Sequence, residues 1–106
     1  MTEEERVILE DFKRRVSARL PLHRMVLFGS RARGDADADS DVDVLVVLDC
    51  PVDSSSDQVV SHCAWEAGYE HGIVVTPVVF SRDEWESGPE SSSLLAIAVR
   101  QEGIEV

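Results

Sequence analysis

The first twenty residues carry apolar side chains at steps of four or five, namely Val7, Ile8, Phe12, Val16 and Leu20. This spacing predicts an amphipathic helix over residues 3–20. Acidic residues come first and Arg or Lys residues later, which suits the dipole of a helix. Pro21 ends the predicted helix, because the residue before a proline avoids helical geometry.

Two aliphatic runs follow, with a polar stretch between them. Residues 24–29 predict a short strand that stops at Gly29, and residues 30–34 can form a turn of helix. Residues 35–40 are too polar and irregular for anything but a loop. The run from Val42 to Leu48 is almost continuously aliphatic. This pattern predicts a central strand that is covered on both faces.

The second half of the chain alternates helix and strand signals. Asp53 or a serine in 54–56 can cap a helix over residues 57–70. Residues 73–80 predict a third strand, in which Pro77 favours an edge position or a bulge. Ser81 opens a capping box before a short helix, and a last helix closes at residue 103. The pattern predicts an α/β (α+β) fold, a small mixed sheet flanked by helices, with residues 1–106 as one domain.

Composition limits the function. The net charge is −11 and the isoelectric point about 4.5. An acidic chain is unsuited to nonspecific nucleic-acid binding or to an anionic membrane, so neither partner is expected. The sequence has no apolar run of the ~20 residues that a membrane-spanning helix needs, and its acidic start is unlike a signal peptide. We therefore expect a cytoplasmic protein, with Cys50 and Cys63 as free thiols.

The chemistry-bearing residues lie where the first two strands begin and end. Gly29 lets a ligand approach the backbone, and the turn that Ser30 begins can hold a phosphate. Asp41 and Asp43 are two apart at the head of the second strand, so their side chains share a face. Two adjacent carboxylates repel each other unless a cation lies between them, and hard oxygen ligands favour Mg²⁺ or Mn²⁺. Together these residues predict a metal–triphosphate site.

Other polar and aromatic residues carry weaker signals. Three loop aspartates, Asp35, Asp37 and Asp39, are expected to be solvated. Ser40 either caps the loop or orients Asp41, and the sequence does not choose between these roles. The three histidines are scattered and predict no metal site. Trp65 and Trp85 are expected to pack within the fold, although one of them could face a partner.

The pattern Gly29–Ser30, ten residues, then Asp41-x-Asp43, resembles the signature of the DNA polymerase β-like nucleotidyltransferase superfamily. The stretch is most similar to the short minimal nucleotidyltransferases, which include MntA-like antitoxins. This resemblance implies the polymerase β-like fold. It also implies transfer of a nucleoside monophosphate, expected to be AMP from ATP, to a hydroxyl of a protein or small molecule, with release of pyrophosphate.

The resemblance also assigns roles to residues. It implies that Asp41 and Asp43 are catalytic and hold the metals, and that Gly29 and Ser30 bind the triphosphate. Arg31 and Arg33 are candidate phosphate ligands, since a guanidinium pairs with phosphate oxygens. For Arg33, a plain surface position is an equal alternative.

Relatives of this kind are commonly encoded beside a small helical HEPN-type protein, and the two pair as antitoxin and toxin. The resemblance therefore implies a HEPN-type partner, which agrees with an acidic surface that caps a basic protein. The acceptor, the preferred base and the possibility of a homo-oligomer stay open.

One departure from the superfamily pattern concerns the third strand. The superfamily usually carries a third acid there, but residues 73–80 contain none, and Val74 stands where related sequences often have aspartate. Glu70 could substitute only if the strand began earlier. Binding of Mg-NTP is thus better supported than transfer. Two functions remain: a nucleotidyltransferase, or a weak or inactive binding module that neutralises a partner by complex formation. An aminoglycoside-type transferase is less favoured, because such enzymes need more chain to enclose the acceptor.

Overall fold

The computed structural model describes residues 1–106, apart from the side chain of Glu90. The helices are α1 (Glu3–Ser17), α2 (Ser30–Arg33), α3 (Ser54–Tyr69), α4 (Arg82–Ser87) and α5 (Leu94–Glu102), with a 3-10 turn at Pro89–Ser92. The strands are β1 (Leu22–Phe28), β2 (Val42–Leu48), β3 (Val75–Ser81) and β4 (Ile104–Glu105).

The strands form one mixed sheet in the order β3-β2-β1-β4. Strand β1 runs antiparallel to β2 and to β4, whereas β2 and β3 are parallel. The predicted mixed sheet with flanking helices is confirmed, and so is the central position of β2. Strand β3 lies at an edge of the sheet, as predicted. Pro77 has no N–H to donate, which an edge strand tolerates better than a central one.

Side chains from both faces of β2 are buried, because the sheet is covered on both sides. Val44 and Val46 join a core formed with α1 and α3. Leu45 and Val47, which alternate with them, join a second core with Trp85 and α5. This alternation explains the almost continuous aliphatic run of β2.

Strand β4 is absent from the sequence-based prediction, and one of the two tryptophans expected to pack is exposed, the alternative that the sequence left open. Strand β4 is only two residues long and pairs with Val26 and Leu27 of β1, so no local pattern marks it. Trp85 is buried as expected, but Trp65 is 60% exposed and does not pack into the core. The helix α3 turns its small residues inward instead, and Ala64 and Ala67 are buried there.

The N-terminal ends of β2 and β3 lie at one end of the sheet, together with the turn that follows β1. This arrangement follows from the antiparallel pairing of β1 with β2 and the parallel pairing of β2 with β3. The candidate residues in the turn after β1 and at the start of β2 therefore meet at this end. Among the described residues, no helix has the length and apolar character needed to cross a membrane.

Candidate functional site

The turn between β1 and α2 places its backbone directly against a carboxylate. Gly29 adopts φ +78°, a conformation that side-chain-bearing residues rarely take, and a Cβ atom built there would lie 2.6 Å from Oδ2 of Asp43. Phe28, the preceding residue, is the register partner of Asp43. A glycine is thus required for two independent reasons, left-handed backbone geometry and close approach.

Asp41 and Asp43 lie at the start of β2, one exposed and one half-buried. Burial raises the pKa of Asp43, the negative charge of Asp41 raises it further, and nearby Arg33 opposes both effects. The structure therefore brings together the two carboxylates and Gly29, as the sequence predicts. The contribution of Asp41 to the raised pKa of Asp43 reflects the repulsion between two carboxylates that share one face of a strand.

The neighbouring strand β3 offers a hydroxyl to this pair. Thr76 is the register partner of Asp43, and its Oγ1 donates a hydrogen bond to Oδ2 of Asp41 at 3.5 Å. Val74, two residues earlier, is 63% exposed, and its carbonyl accepts the N–H of Val42 at 2.9 Å. Glu70 is the C-cap residue of α3, and β3 begins only at Val75, so the earlier strand start that Glu70 would need as a third acid is not found.

The described residues place no third acid, histidine or cysteine beside the two carboxylates. Within the described part of the chain, no group of three or more His, Cys, Asp or Glu side chains is arranged to hold a metal ion. Mg²⁺ is commonly bound by one or two carboxylates together with substrate phosphates and waters. The donor set of Asp41, Asp43 and the Thr76 hydroxyl fits that mode, and it does not fit a cation held by protein atoms alone.

Ser30 and Arg33 occupy the first and last positions of α2. Gly29 has no side chain to cap the helix, and its carbonyl accepts the N–H groups of Ala32 and Arg33, so the amides of Ser30 and Arg31 are the ones available to a ligand. Arg33 is about half exposed, and its guanidinium contacts Asp35 and Glu102, each at 3.2 Å. Arg33 also lies close enough to Asp43 to oppose the rise in its pKa. A phosphate would have to compete with Asp35 and Glu102 for the Arg33 guanidinium.

Arg31 does not occupy the position expected of a phosphate ligand. Its side chain is buried, and Nη1 donates to Oε2 of Glu5 at 2.9 Å. Nε and Nη2 both donate to the carbonyl of Ser40, at 2.9 and 2.7 Å, and Nη2 also donates to that of Ala38 at 3.2 Å. The guanidinium is fully engaged within the protein, and it ties the acidic loop to α1 just before Asp41.

Glu5, the partner of Arg31, is a functional-site support that the sequence analysis missed. Its Oε1 accepts a hydrogen bond from the N–H of Thr2 at 2.8 Å, and its Oε2 accepts one from Nη1 of Arg31. Burial raises the pKa of Glu5, but the bonds from Thr2 and Arg31 outweigh this and hold the pKa below its usual range. The local signal, Thr-x-x-Glu at the start of a helix, indicates a capping box but gives no hint of the long-range ion pair.

The remaining loop residues behave as solvated elements. Asp35, Asp37 and Asp39 are exposed, as expected. The hydroxyl of Ser40 accepts the N–H of Asp37 at 3.1 Å, which favours the loop-capping role over orientation of Asp41.

Residues 7–98 match the model of the nucleotidyltransferase domain family. A search of curated protein sequences finds no significant match.

Three solved structures share the fold at low sequence identity. A toxin–antitoxin structure with AMP-PNP has a TM-score of 0.62 and 18% identity, covering 95% of this chain and 70% of that chain. An MntA–HpeT toxin–antitoxin mutant has a TM-score of 0.61 and 20% identity, with the same coverage. A tri-AMPylated Shewanella oneidensis HEPN toxin in complex with MNT antitoxin has a TM-score of 0.54 and 20% identity, covering 96% and 67%.

The family model spans most of the chain, and the glycine turn and the aspartate pair both lie within it. The chain belongs to the nucleotidyltransferase domain family.

Proposed function

We propose that this protein binds a Mg²⁺-bound nucleoside triphosphate, with ATP as the expected one, and transfers its nucleoside monophosphate to a hydroxyl group. The observation that carries this proposal is the contact between Gly29 and Asp43 beside Asp41. That contact joins a phosphate-binding turn to a carboxylate pair. The family membership and the AMP-PNP in a similar structure support the choice of ligand.

In the proposed reaction, the acceptor oxygen forms a bond to the α-phosphorus of the nucleotide. The bond from that phosphorus to the bridging oxygen of the β-phosphate breaks, and pyrophosphate leaves. The proton of the acceptor hydroxyl passes to a carboxylate of the pair or to solvent. Asp41 and Asp43 would hold a divalent cation, which would supply charge neutralisation for the triphosphate and lower the pKa of the acceptor hydroxyl.

The chain's own residues position the reactants. Asp41 and Asp43 hold the cation on one face of β2, and the backbone of Gly29 and Ser30 contacts the triphosphate. Arg31 and Glu5 fix the loop that leads into Asp41 and thereby limit the freedom of its carboxylate. Positioning of this kind accounts for much of the catalysis of phosphoryl transfer.

We infer that the acceptor is a protein of the HEPN type, with this chain acting as its antitoxin in the cytoplasm. The MNT antitoxin in the Shewanella structure is in complex with an AMPylated HEPN toxin, which supports this choice. The proposal is tested by incubating the purified protein with α-labelled ATP, Mg²⁺ and a HEPN-type protein encoded beside it. Label should appear on that protein, and the variants Asp41→Asn and Asp43→Asn should abolish it.

A second function is favoured by one observation in β3. Thr76, and not an acid, is the residue of β3 that contacts the carboxylate pair, so a strong base for the acceptor hydroxyl is missing from the described residues. A module that binds nucleotide and neutralises its partner by complex formation would need no such base. Stable complex formation that both Asn variants retain, with no label transferred, would establish this function instead.

A further inference from the structure

A hollow of about 450 Å³ lies between α3 and the edge strand β3, on the opposite side of β3 from the carboxylate pair. Three of its lining side chains are large and exposed: Trp65 by 60%, Tyr69 by 67% and Val74 by 63%. The rings of Trp65 and Tyr69 are in contact, with centroids 4.9 Å apart. Exposed aromatic side chains grouped around a concave surface are typical of protein-binding sites.

The hollow is connected to the candidate site through the backbone. Val74 lines the hollow, and its carbonyl accepts the N–H of Val42, the residue between Asp41 and Asp43. The next residues of β3 alternate, so that Pro77 faces the hollow while Thr76 faces the carboxylates. A partner seated along this edge of the sheet therefore touches both the hollow and the surface next to the carboxylates.

Acidic residues near the hollow favour a cationic partner. The stretch that lines the hollow, residues 61–77, contains two acids, Glu66 and Glu70, and no Lys or Arg, and Glu66 is paired with Arg15 of α1. Asp57 precedes Ser61 and Trp65 by one and two helical steps of four residues, so it extends the same stripe of α3, and Glu70 directly follows Tyr69. A second copy of this chain is disfavoured by its net charge of −11. A cationic partner is complementary to the acids and can stack Lys or Arg on the exposed rings.

A nucleotide is a poorer occupant of this hollow than a polypeptide. The turn at Gly29 contacts Asp43, and Asp43 and its register partner Thr76 project from the other face of the sheet. A base stacked on Trp65 would be separated by strand β3 from a triphosphate at that turn. The nucleotide and the occupant of the hollow are thus expected to bind independently.

We propose that the hollow at Trp65 and Tyr69 is the docking site for the protein acceptor, which enters as a basic segment with an apolar or aromatic anchor. This inference rests on the proposed transfer to a protein hydroxyl. A segment docked in the hollow can continue across the free edge of β3 to the opposite face of the sheet, where a hydroxyl farther along the same partner reaches the nucleotide.

The test uses the random copolymer poly(Lys,Tyr) as a basic, tyrosine-bearing probe and poly(Glu,Tyr) as its acidic match. Binding to the full chain is measured by anisotropy of the fluorescently labelled copolymers. The variants Trp65→Ala and Tyr69→Ala should weaken poly(Lys,Tyr) binding by about tenfold or more. The matched control is Leu94→Ala on α5, a residue that is 85% exposed and distant in sequence. It should leave binding unchanged, and poly(Glu,Tyr) should not bind.

Equal binding by the wild type and both aromatic variants would mean that charge alone attracts the copolymer, and it would overturn the proposal. Loss of Mg-ATP binding in both Trp65→Ala and Tyr69→Ala would overturn it as well, since the hollow would then be a nucleotide site. Mg-ATP affinity is measured on every variant in parallel. Failure of the wild type to bind Mg-ATP would refute the proposed function. Copolymer binding that depends on Trp65 would still support the docking site in that case.

Discussion

The variant Arg31→Met tests whether the buried ion pair with Glu5 stabilises the loop that carries Asp41. The substitution preserves the apolar stem but removes four hydrogen bonds, to Glu5, Ser40 and Ala38. Removing one partner of a buried pair typically costs about 3–5 kcal/mol. Glu5 keeps its bond from Thr2 and lies at a helix N-terminus, which favours a carboxylate. We therefore expect the low end of that range.

The assay is urea denaturation followed by circular dichroism at pH 7.5. The matched control is Arg14→Met, which removes a surface ion pair on α1, the helix that carries Glu5. It should change the free energy of unfolding by less than about 0.5 kcal/mol. The double variant Glu5→Gln/Arg31→Met contains no buried charge at this site. Its free energy of unfolding should therefore fall by less than the sum of the decreases in the two single variants.

The pH dependence follows from the lowered pKa of Glu5. A carboxyl whose folded pKa is depressed stabilises the fold above its unfolded pKa, and that stabilisation is lost as the pH falls through the folded value. The difference between the wild type and Arg31→Met should therefore shrink below about pH 4. Equal stability of Arg31→Met and Arg14→Met at pH 7.5 would refute the assigned role of Arg31.

Three further predictions concern the carboxylate pair. Gly29→Ala should weaken Mg-ATP binding by about tenfold or more, while Gly34→Ala, which has a similar φ but no atom within 4 Å of the added Cβ, should leave it unchanged in calorimetric titration. Asp43→Asn should stabilise the protein without nucleotide at pH 7.5, because the raised pKa of Asp43 means that its charged form destabilises the fold. In denaturation curves this gain in stability should vanish below about pH 4, where the carboxyl of the wild type is protonated in both states. Thr76→Asp should raise Mn²⁺ affinity about tenfold by paramagnetic resonance and Thr76→Val should lower it, whereas equal affinities would exclude position 76 from the site.

Much of the fold could be predicted from local patterns. The run Val42–Leu48 marks the central strand because a strand covered on both faces needs apolar residues at every position. Pro77 marks the edge strand because it cannot donate in an interior ladder. Strand β4 gave no such signal, since its two residues are held only by pairing with β1.

The candidate site was predictable in part. Gly29 and the aspartate pair have a fixed spacing, and the structure brings them into contact. The burial of Arg31 could not be predicted, because its partner Glu5 lies 26 residues away and belongs to another helix. The exposure of Trp65 was also missed, since the small residues of α3, which the sequence shows, face the core in its place.

The central claim is that Asp41 and Asp43 bind a divalent cation jointly with the phosphates of a nucleotide. Calorimetric titration of the protein with ATP, in Mg²⁺ and in EDTA, tests it most directly. We expect ATP to bind only in Mg²⁺, Mg²⁺ to bind weakly without ATP, and ATP binding to be lost in Asp41→Asn and in Asp43→Asn. Equal ATP affinity in EDTA, or retained affinity in both Asn variants, would contradict it.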